Sequence, residues 1–418
     1  MNRTTAIVLL SKWSAICVAV GSMVGSAVAF FLWALERVTE THLQHSWLLF
    51  LLPFGGLVSG IVYYVTGQKA EAGNALIIEQ IREPAEGIPL RMAPLVLFGT
   101  LVTHLFGGSA GREGTAVQIG SSLAGALGLF LKFTREELRV LWWCGLSAGF
   151  GAVFGTPMAG AIFALETTAS KQRWHFAILP CIAASWVGHL VTSAWGIRHA
   201  NYEIDFGDLT IFNSLFLAKI AFAALCFAGA SILYVSLTHG LRTNLAKVIR
   251  IPWMRPFAGG CVVVLLVLAL GERDYCGLSV QSSSTPAEYV TIESCFLRDG
   301  ANRFSWFWKI LFTSITVGSG FKGGEVTPLF FVGAALGNAL AILLGAPTDL
   351  MAGLGFVAVF AGATKSPIAS TILAVELFNP LGSTSGLAFV PCAAIVCWTT
   401  FACGSTSIYS PKRPTGSP

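Results

Sequence analysis

Charge is scarce in this 418-residue chain: 11% of its residues are Asp, Glu, Lys or Arg, against about 25% in ordinary soluble domains. That excludes a water-facing globular fold for most of its length. The 54% hydrophobic content and the mean hydropathy of +0.71 place the chain in a lipid bilayer. With 26 basic and 21 acidic residues the net charge is +5, too small a surplus to suggest nucleic-acid binding. The ten cysteines include no CxxC pair and no Cys/His cluster at metal spacing, so no metal or other cofactor is expected. HExxH and GxSxG are missing, and no nucleophile–base constellation stands out. The chain is therefore not expected to be an enzyme. No polar domain follows the last apolar run, so no soluble regulatory domain is expected.

What the chain has in quantity is apolar runs near the length of about 20 residues that crosses a bilayer. The clearest are 14–35, 47–66, 92–106, 176–196, 211–237, 256–270, 329–344 and 386–403. The first is too long for a signal peptide and reads as a retained helix. Arg3, Lys12, Lys69, Arg82, Arg91, Arg242, Lys247, Arg250, Arg255, Lys412 and Arg413 cluster at run ends. The positive-inside rule assigns these, and both termini, to the cytoplasm. The mixed-charge loops 197–208 and 271–303 then face outside. Eight cysteines lie in apolar runs as small core residues. Cys276 and Cys295 flank the second of these loops, where spacing alone decides nothing about pairing.

One stretch breaks the apolar pattern in an informative way. GGSAGREGTAVQIG (107–120) has glycines at 107, 108, 111 and 114, which disfavour a helix interior. It then turns apolar and helical at a single acid, Glu113. Free backbone N–H groups and the dipole of a helix start attract an anion. A carboxylate beside them occupies that position when ionised and vacates it when protonated, which makes a proton-operated gate. A charged side chain at membrane depth is costly and functional by default. A second copy, GSGFKGGEVTPLFFVG (318–333), again carries one acid, Glu325.

The two copies belong to an internal duplication. TPMAGAIFALE (156–166) aligns with SPIASTILAVE (366–376) at an offset of 210, and the two glycine-rich acids are 212 apart. The expected repeats are 1–207 and 208–418. Short Gly/Pro-interrupted segments at corresponding positions point to a transporter's binding site, where non-helical backbone at membrane depth lines a cavity. The residues alone leave open whether the repeats are parallel or inverted. A third interruption, EAGNALIIEQI (71–81), places Asn74 either as an N-cap or as an amide donor to an anion.

GREGT at 111–115 with VQIG at 117–120 resembles the GREGP signature of CLC anion channels and transporters. GGEVTP at 323–328 resembles that family's GxFxP signature, and GTPMAGAIFALE (155–166) its adjoining helix. STSIYSP, with Tyr409, resembles the segment that brings a tyrosine hydroxyl to the central anion. The resemblance implies an all-α polytopic membrane protein, a CLC-type fold of two inverted repeats whose broken helices meet at a central anion site, assembled as a homodimer. Four departures narrow it. GNALII (73–78) stands where the family has GSGIPE, so Asn74 replaces the serine that touches the anion. Thr115 replaces the proline of GREGP. The second loop reads Glu325, Val326, Thr327. Glu166 is followed by Thr167, not by the glutamate of the internal proton relay.

This set is similar to the fluoride-exporting branch, which implies a secondary active fluoride/proton antiporter in a bacterial inner membrane. Its substrates would be fluoride and protons, with Glu113 and Glu325 moving the protons. Asn74, Gly111, Gly114, Thr115, Val326, Thr327 and Tyr409 would hold the anion. Fluoride is strongly hydrated and must regain more hydrogen bonding for each water it sheds. The alternatives for Glu325 are proton carrier and helix cap. The alternative function is a chloride/proton exchanger or chloride channel of the same fold, for which serine would be expected at 74. Arg112 fits an ion pair or the potential of the approach to the site. Glu166 and Glu376 fit a shared structural role, and His104 and His189 fit helix–helix contacts.

Overall fold

The computed structural model describes residues 3–85, 87–168, 174–200, 202, 204–205, 213–282, 284–379, 384–404 and 407–409. The basic pair Lys412 and Arg413, on which the assignment of the C-terminus rested, lies outside them. Among the described residues there are fifteen α-helices and no strand. In order they are α1 (Arg3–Gln44), α2 (Leu52–Thr66), α3 (Asn74–Arg82), α4 (Met92–Leu105), α5 (Glu113–Phe130) and α6 (Arg135–Phe154). Then come α7 (Pro157–Thr168), α8 (Ile178–Ala194), α9 (Ser214–Val248), α10 (Arg255–Leu270) and α11 (Ser305–Gly318). The last four are α12 (Val326–Leu344), α13 (Thr348–Thr364), α14 (Pro367–Phe378) and α15 (Thr384–Cys403).

Among the described residues six apolar segments are long enough to cross a bilayer: Ser11–Gln44, Ser46–Thr66, His175–Ala194, Ser214–Val248, Pro252–Leu270 and Val326–Leu344. The expected spans at 92–106 and 386–403 are shorter apolar helices, Met92–Leu105 and Phe389–Cys403, the latter within α15. At 1.5 Å per residue the 14 residues of α4 cover about 21 Å, less than the hydrocarbon core. A helix that stops short at such depth leaves backbone groups that only protein or a polar cavity can satisfy.

The chain forms two compact units. The first comprises Met1–Glu36, Gly67–Phe98 and Glu113–Ala200. Its centre is α6, buried continuously from Leu141 to Phe154. The sequence opens this helix with a capping box, in which Thr134 accepts from the Glu137 N–H and Glu137 accepts in return from Thr134. That arrangement satisfies two orphan donors. Glu137 also pairs with Lys12 at 2.7 Å, and Gly155 ends the helix in a left-handed cap. Small residues then let neighbouring helices touch backbone to backbone. A Cβ on Gly120 of α5 would run into the Gly145 carbonyl of α6, and the reverse holds. Gly25 of α1 meets Gly188 of α8 in the same way, and the Thr192 hydroxyl donates to the Gly25 carbonyl at 3.1 Å.

The second unit comprises Arg37–Thr66, Gly99–Arg112 and Asn201–Pro418. Its centre is α13, buried without a break from Leu350 to Thr364. Gly333 of α12 and Gly355 of α13 approach each other as Gly120 and Gly145 do in the first unit. Tyr202, Phe296, Phe356 and Phe378 form an aromatic cluster beside it. Gly60 of α2 lies against the backbone of Trp253, and Gly260 of α10 against that of Pro53.

Candidate functional site

The glycine-rich loops are short turns between helices, as their composition demands. The first leaves α4 after Leu105 and delivers the chain to α5 at Glu113. Gly107 turns it with φ +77°, where a Cβ would strike the His42 ring. The second leaves α11 after Gly318 and reaches α12 at Val326. Here a Cβ on Gly323 would lie 2.5 Å from the Ala110 Cβ. Only glycine lets the two turns come this close. Their backbones then pair: the Gly111 N–H donates to the Gly324 carbonyl and the Gly324 N–H to the Gly111 carbonyl, both at 2.6 Å.

Gly111 and Gly324 are 213 apart, as are the starts of α4 and α11, α5 and α12, and α6 and α13. Equivalent residues that bond each other reciprocally lie on a local two-fold axis. This register corrects one expectation. Glu113 and Glu325, 212 apart, are not equivalent residues: the structural counterpart of Glu113 is Val326. The offset of 210 returns at α7 and α14, because α6 has 20 residues and α13 has 17.

Glu113 is the first residue of α5 and is 1% exposed. Gly114 and Thr115 follow it, both buried in the first helical turn. In the same unit Gly73, with φ +56°, caps α3, and the Gln118 side chain of α5 lies against it. Asn74 is thus the first helical residue and not the N-cap, and no side chain caps this helix. The Asn74 Oδ1 is buried without a partner. Since amide O and N are assigned from their surroundings, the amide has a donor to offer at the start of α3.

The second unit holds Glu325, Val326, Thr327 and Tyr409. Glu325 occupies the N-cap position of α12, yet its side chain makes no cap hydrogen bond. Its carbonyl accepts from the Leu329 N–H at 3.2 Å and from the Tyr234 hydroxyl at 3.4 Å. The residue as a whole is of intermediate exposure, and the cation acting on its carboxyl is Arg242 of α9. Val326 and Thr327 are buried in the first turn. Tyr409 is fixed through its neighbour, since the Ile408 N–H donates to the Ala363 carbonyl at 2.8 Å and the Ile408 carbonyl faces His239 Nε2 at 3.0 Å.

The loop between α10 and α11 closes on the first glycine-rich turn. The Gly277 N–H donates to the Gly107 carbonyl at 3.2 Å. Arg112 acts on Glu293 of this loop, which fits its expected role as a charge partner. Burial pushes the Glu293 carboxyl up, partly offset by that positive charge and by the Gln281 N–H bond. Burial likewise pushes Asp274 up and the Cys276 thiol to about 12. Cys276 and Cys295 are both free thiols.

Lys309 was missed, although a lysine inside SWFWKILFTSITVG is a visible signal. It is 0% exposed, and its ammonium donates to the carbonyls of Tyr275 and Gly277 and to the Ser279 hydroxyl, at 3.2, 2.9 and 2.8 Å. It thereby fastens the loop between α10 and α11. His104 bonds its own helix and the glycine-rich turn, not a neighbouring helix as expected. The Thr167 hydroxyl bonds back to the Phe163 carbonyl at 2.6 Å.

Apolar helices long enough to cross a bilayer, with short buried helices that begin at glycine-rich turns, define a polytopic membrane protein. The family described as Voltage gated chloride channel matches residues 54–399, and the chain belongs to it. A chloride/fluoride channel protein of Pseudomonas syringae pv. tomato is 41% identical over 411 residues, covering 97% of this chain and 87% of that one. Among solved structures, a CLC-type fluoride/proton antiporter superposes with TM-score 0.86 at 29% identity, covering 94% of this chain and 95% of that one. A slow cyanobacterial Cl−/H+ antiporter superposes with TM-score 0.76 at 18% identity, covering 95% and 96%, and so shares the fold.

Proposed function

We propose that the chain is a fluoride/proton antiporter that exports fluoride in exchange for inward proton movement. The observation that carries this is the Gly111–Gly324 pair, which joins two turns that each lead to a helix start bearing an acid. The solved fluoride/proton antiporter, of matching fold and length, supports the choice of ion and of exchange. The first turns of α5 and α12, with Gly114, Thr115, Val326 and Thr327, offer backbone N–H groups and positive dipole ends to an anion, and Gly111, whose own N–H is bonded to Gly324, sets the turn before α5. The Asn74 amide and the Tyr409 hydroxyl add side-chain donors suited to a strongly hydrated ion.

Glu113 is the gate. Ionised, it takes the anion's place at the start of α5; protonated, it yields that place. Glu325 is the second proton carrier. Its lack of a capping hydrogen bond supports the carrier reading over that of a cap. The charge of Arg242 acts on Glu325, and the positive-inside reading of Arg242 supports a position toward the cytoplasmic side. Two carboxylates near one anion cannot all stay charged cheaply, so arrival of fluoride favours uptake of a proton. Thr167 takes no part, its hydroxyl being turned to its own helix.

The repeats run 1–207 and 208–418 and are inverted, a reading that rests on the family resemblance. The working form is a homodimer in a bacterial inner membrane, with both termini in the cytoplasm. Proteoliposomes loaded with fluoride or chloride test the function. Fluoride efflux with proton uptake in fixed proportion, and little chloride efflux, is expected. Chloride efflux at an equal rate would favour the chloride exchanger, and anion efflux without protons the channel suggested by the name of the Pseudomonas relative.

A further inference from the structure

Helix α6 is capped by Gly155 and α13 by Lys365, each two residues before the proline that opens the next helix. Both residues are left-handed, with φ +75° and +64°. Glycine takes that conformation without strain, whereas a residue with a side chain resists it. In the first unit no side chain would fit, because a Cβ on Gly155 would lie 2.8 Å from the His199 ring. In the second unit a lysine stands there, and its ammonium reaches the end of another helix. Lys365 Nζ donates to the Phe401 carbonyl at 2.8 Å and to the Gly404 carbonyl, and lies 5.3 Å from the centre of the Phe401 ring. These carbonyls close α15, where the helix itself supplies no N–H and the dipole favours a cation.

The chain beyond α15 gives donors back to the end of α13. The Ile408 N–H bonds the Ala363 carbonyl at 2.8 Å and the Ser407 hydroxyl the Thr364 carbonyl at 3.4 Å. The Ser407 oxygen in turn accepts from the Tyr409 N–H at 3.2 Å. His239 of α9 meets the Ile408 carbonyl, and Tyr234 of the same helix bonds the Glu325 carbonyl at the start of α12. Five residues separate Tyr234 from His239, about 7.5 Å along the helix axis. The 407–409 segment thus hangs between the ends of α13 and α15 and the stretch of α9 that also braces α12.

We propose that Lys365 is a positioning residue for Tyr409: it ties the end of α15 to the end of α13, and so fixes the place from which Tyr409 presents its hydroxyl. Without the ammonium, the bonds to Ala363, Thr364 and His239 are left to hold the segment. In this role Lys365 acts through Tyr409 and needs no contact with the transported ions.

The transport part of the test rests on the anion-binding role proposed for Tyr409; the spectroscopic part does not. Lys365→Gly gives α13 the cap that α6 has and removes the ammonium. With fluorotyrosine in place of the seven tyrosines, fluorine NMR in lipid nanodiscs reads the surroundings of each ring, and Tyr409→Phe identifies its resonance by loss. Lys365→Gly should shift or split that resonance and leave those of Tyr63 and Tyr275 in place. In proteoliposomes it should raise the fluoride KM several-fold, with the fluoride-to-proton ratio unchanged. In a Tyr409→Phe background the same substitution should change KM less than about twofold, because the hydroxyl it places is gone. If Lys365→Gly does not fold, Gly404→Ala puts a Cβ 2.6 Å from the ammonium nitrogen and is read in the same way. An unmoved Tyr409 resonance overturns the proposal. Where Tyr409→Phe itself raises KM, an equal effect of Lys365→Gly in both backgrounds overturns it too. If Tyr409→Phe leaves KM unaltered while Lys365→Gly moves the resonance, the anion role of Tyr409 falls and the positioning of its segment stands.

Discussion

Helix α5 begins on its acid, whereas α12 begins one residue after its acid. The backbones are otherwise alike: each follows a 14-residue helix and a glycine-rich turn, and each crosses the next helix at a glycine pair. The acids have different surroundings. Glu113 is shut inside the first helical turn, while Glu325 is partly exposed and makes no capping bond. Duplication of a turn-and-helix unit thus repeats the helix start and shifts its carboxylate by one residue, and on the proposed function that shift divides the proton work between two positions.

The largest effect is expected at the first acid. Glu113→Gln should abolish fluoride-driven proton uptake, because a neutral amide cannot alternate between occupying and vacating the helix start. Proton uptake at the wild-type rate would remove the distinction between gate and carrier. The helix crossings should respond equally where the acids respond differently. Gly120→Ala and Gly333→Ala each put a methyl group into a backbone carbonyl, an overpacking worth about 1–3 kcal/mol. Thermal unfolding of the two variants should fall together, and tolerance of one alone would break the equivalence of the halves. Asn74→Ser should lower the preference for fluoride over chloride, read as a ratio of initial efflux rates, because it removes an amide donor. The smallest effect belongs to Thr167→Ala: coupled transport should continue, and selective loss of proton movement would return the relay to that position.

Much of this comparison was legible in the residues, for physical reasons. Glycines at 107, 108, 111 and 114 cannot sustain a helix interior, so the turn before Glu113 follows from composition, and the PxAxxIxAxE register exposes the duplication. The register of the acids did not follow. Sequence spacing pairs Glu113 with Glu325, but the helix starts and the Gly111–Gly324 bonds pair Glu113 with Val326. Helices α6 and α13 escaped the search for apolar runs: both are rich in glycine and alanine and are buried on every side, so they lack the long lipid-facing hydrophobic signature. Asn74 has the side chain of a cap, yet Gly73 does the capping through a backbone conformation that residue type does not announce. Lys309 was visible as a charge in an apolar helix, but its three oxygen partners come from a loop some thirty residues away.

The division of proton work between two non-equivalent acids is tested most directly by Glu325→Gln, with fluoride efflux, proton uptake and thermal unfolding measured on one preparation. The amide keeps the size and polarity of the side chain and removes its exchangeable proton. Proton uptake should be lost or strongly slowed while the unfolding temperature stays near that of the wild type, since no capping bond is given up. Coupled exchange at the wild-type rate with a lowered unfolding temperature would make Glu325 a structural residue and contradict the division.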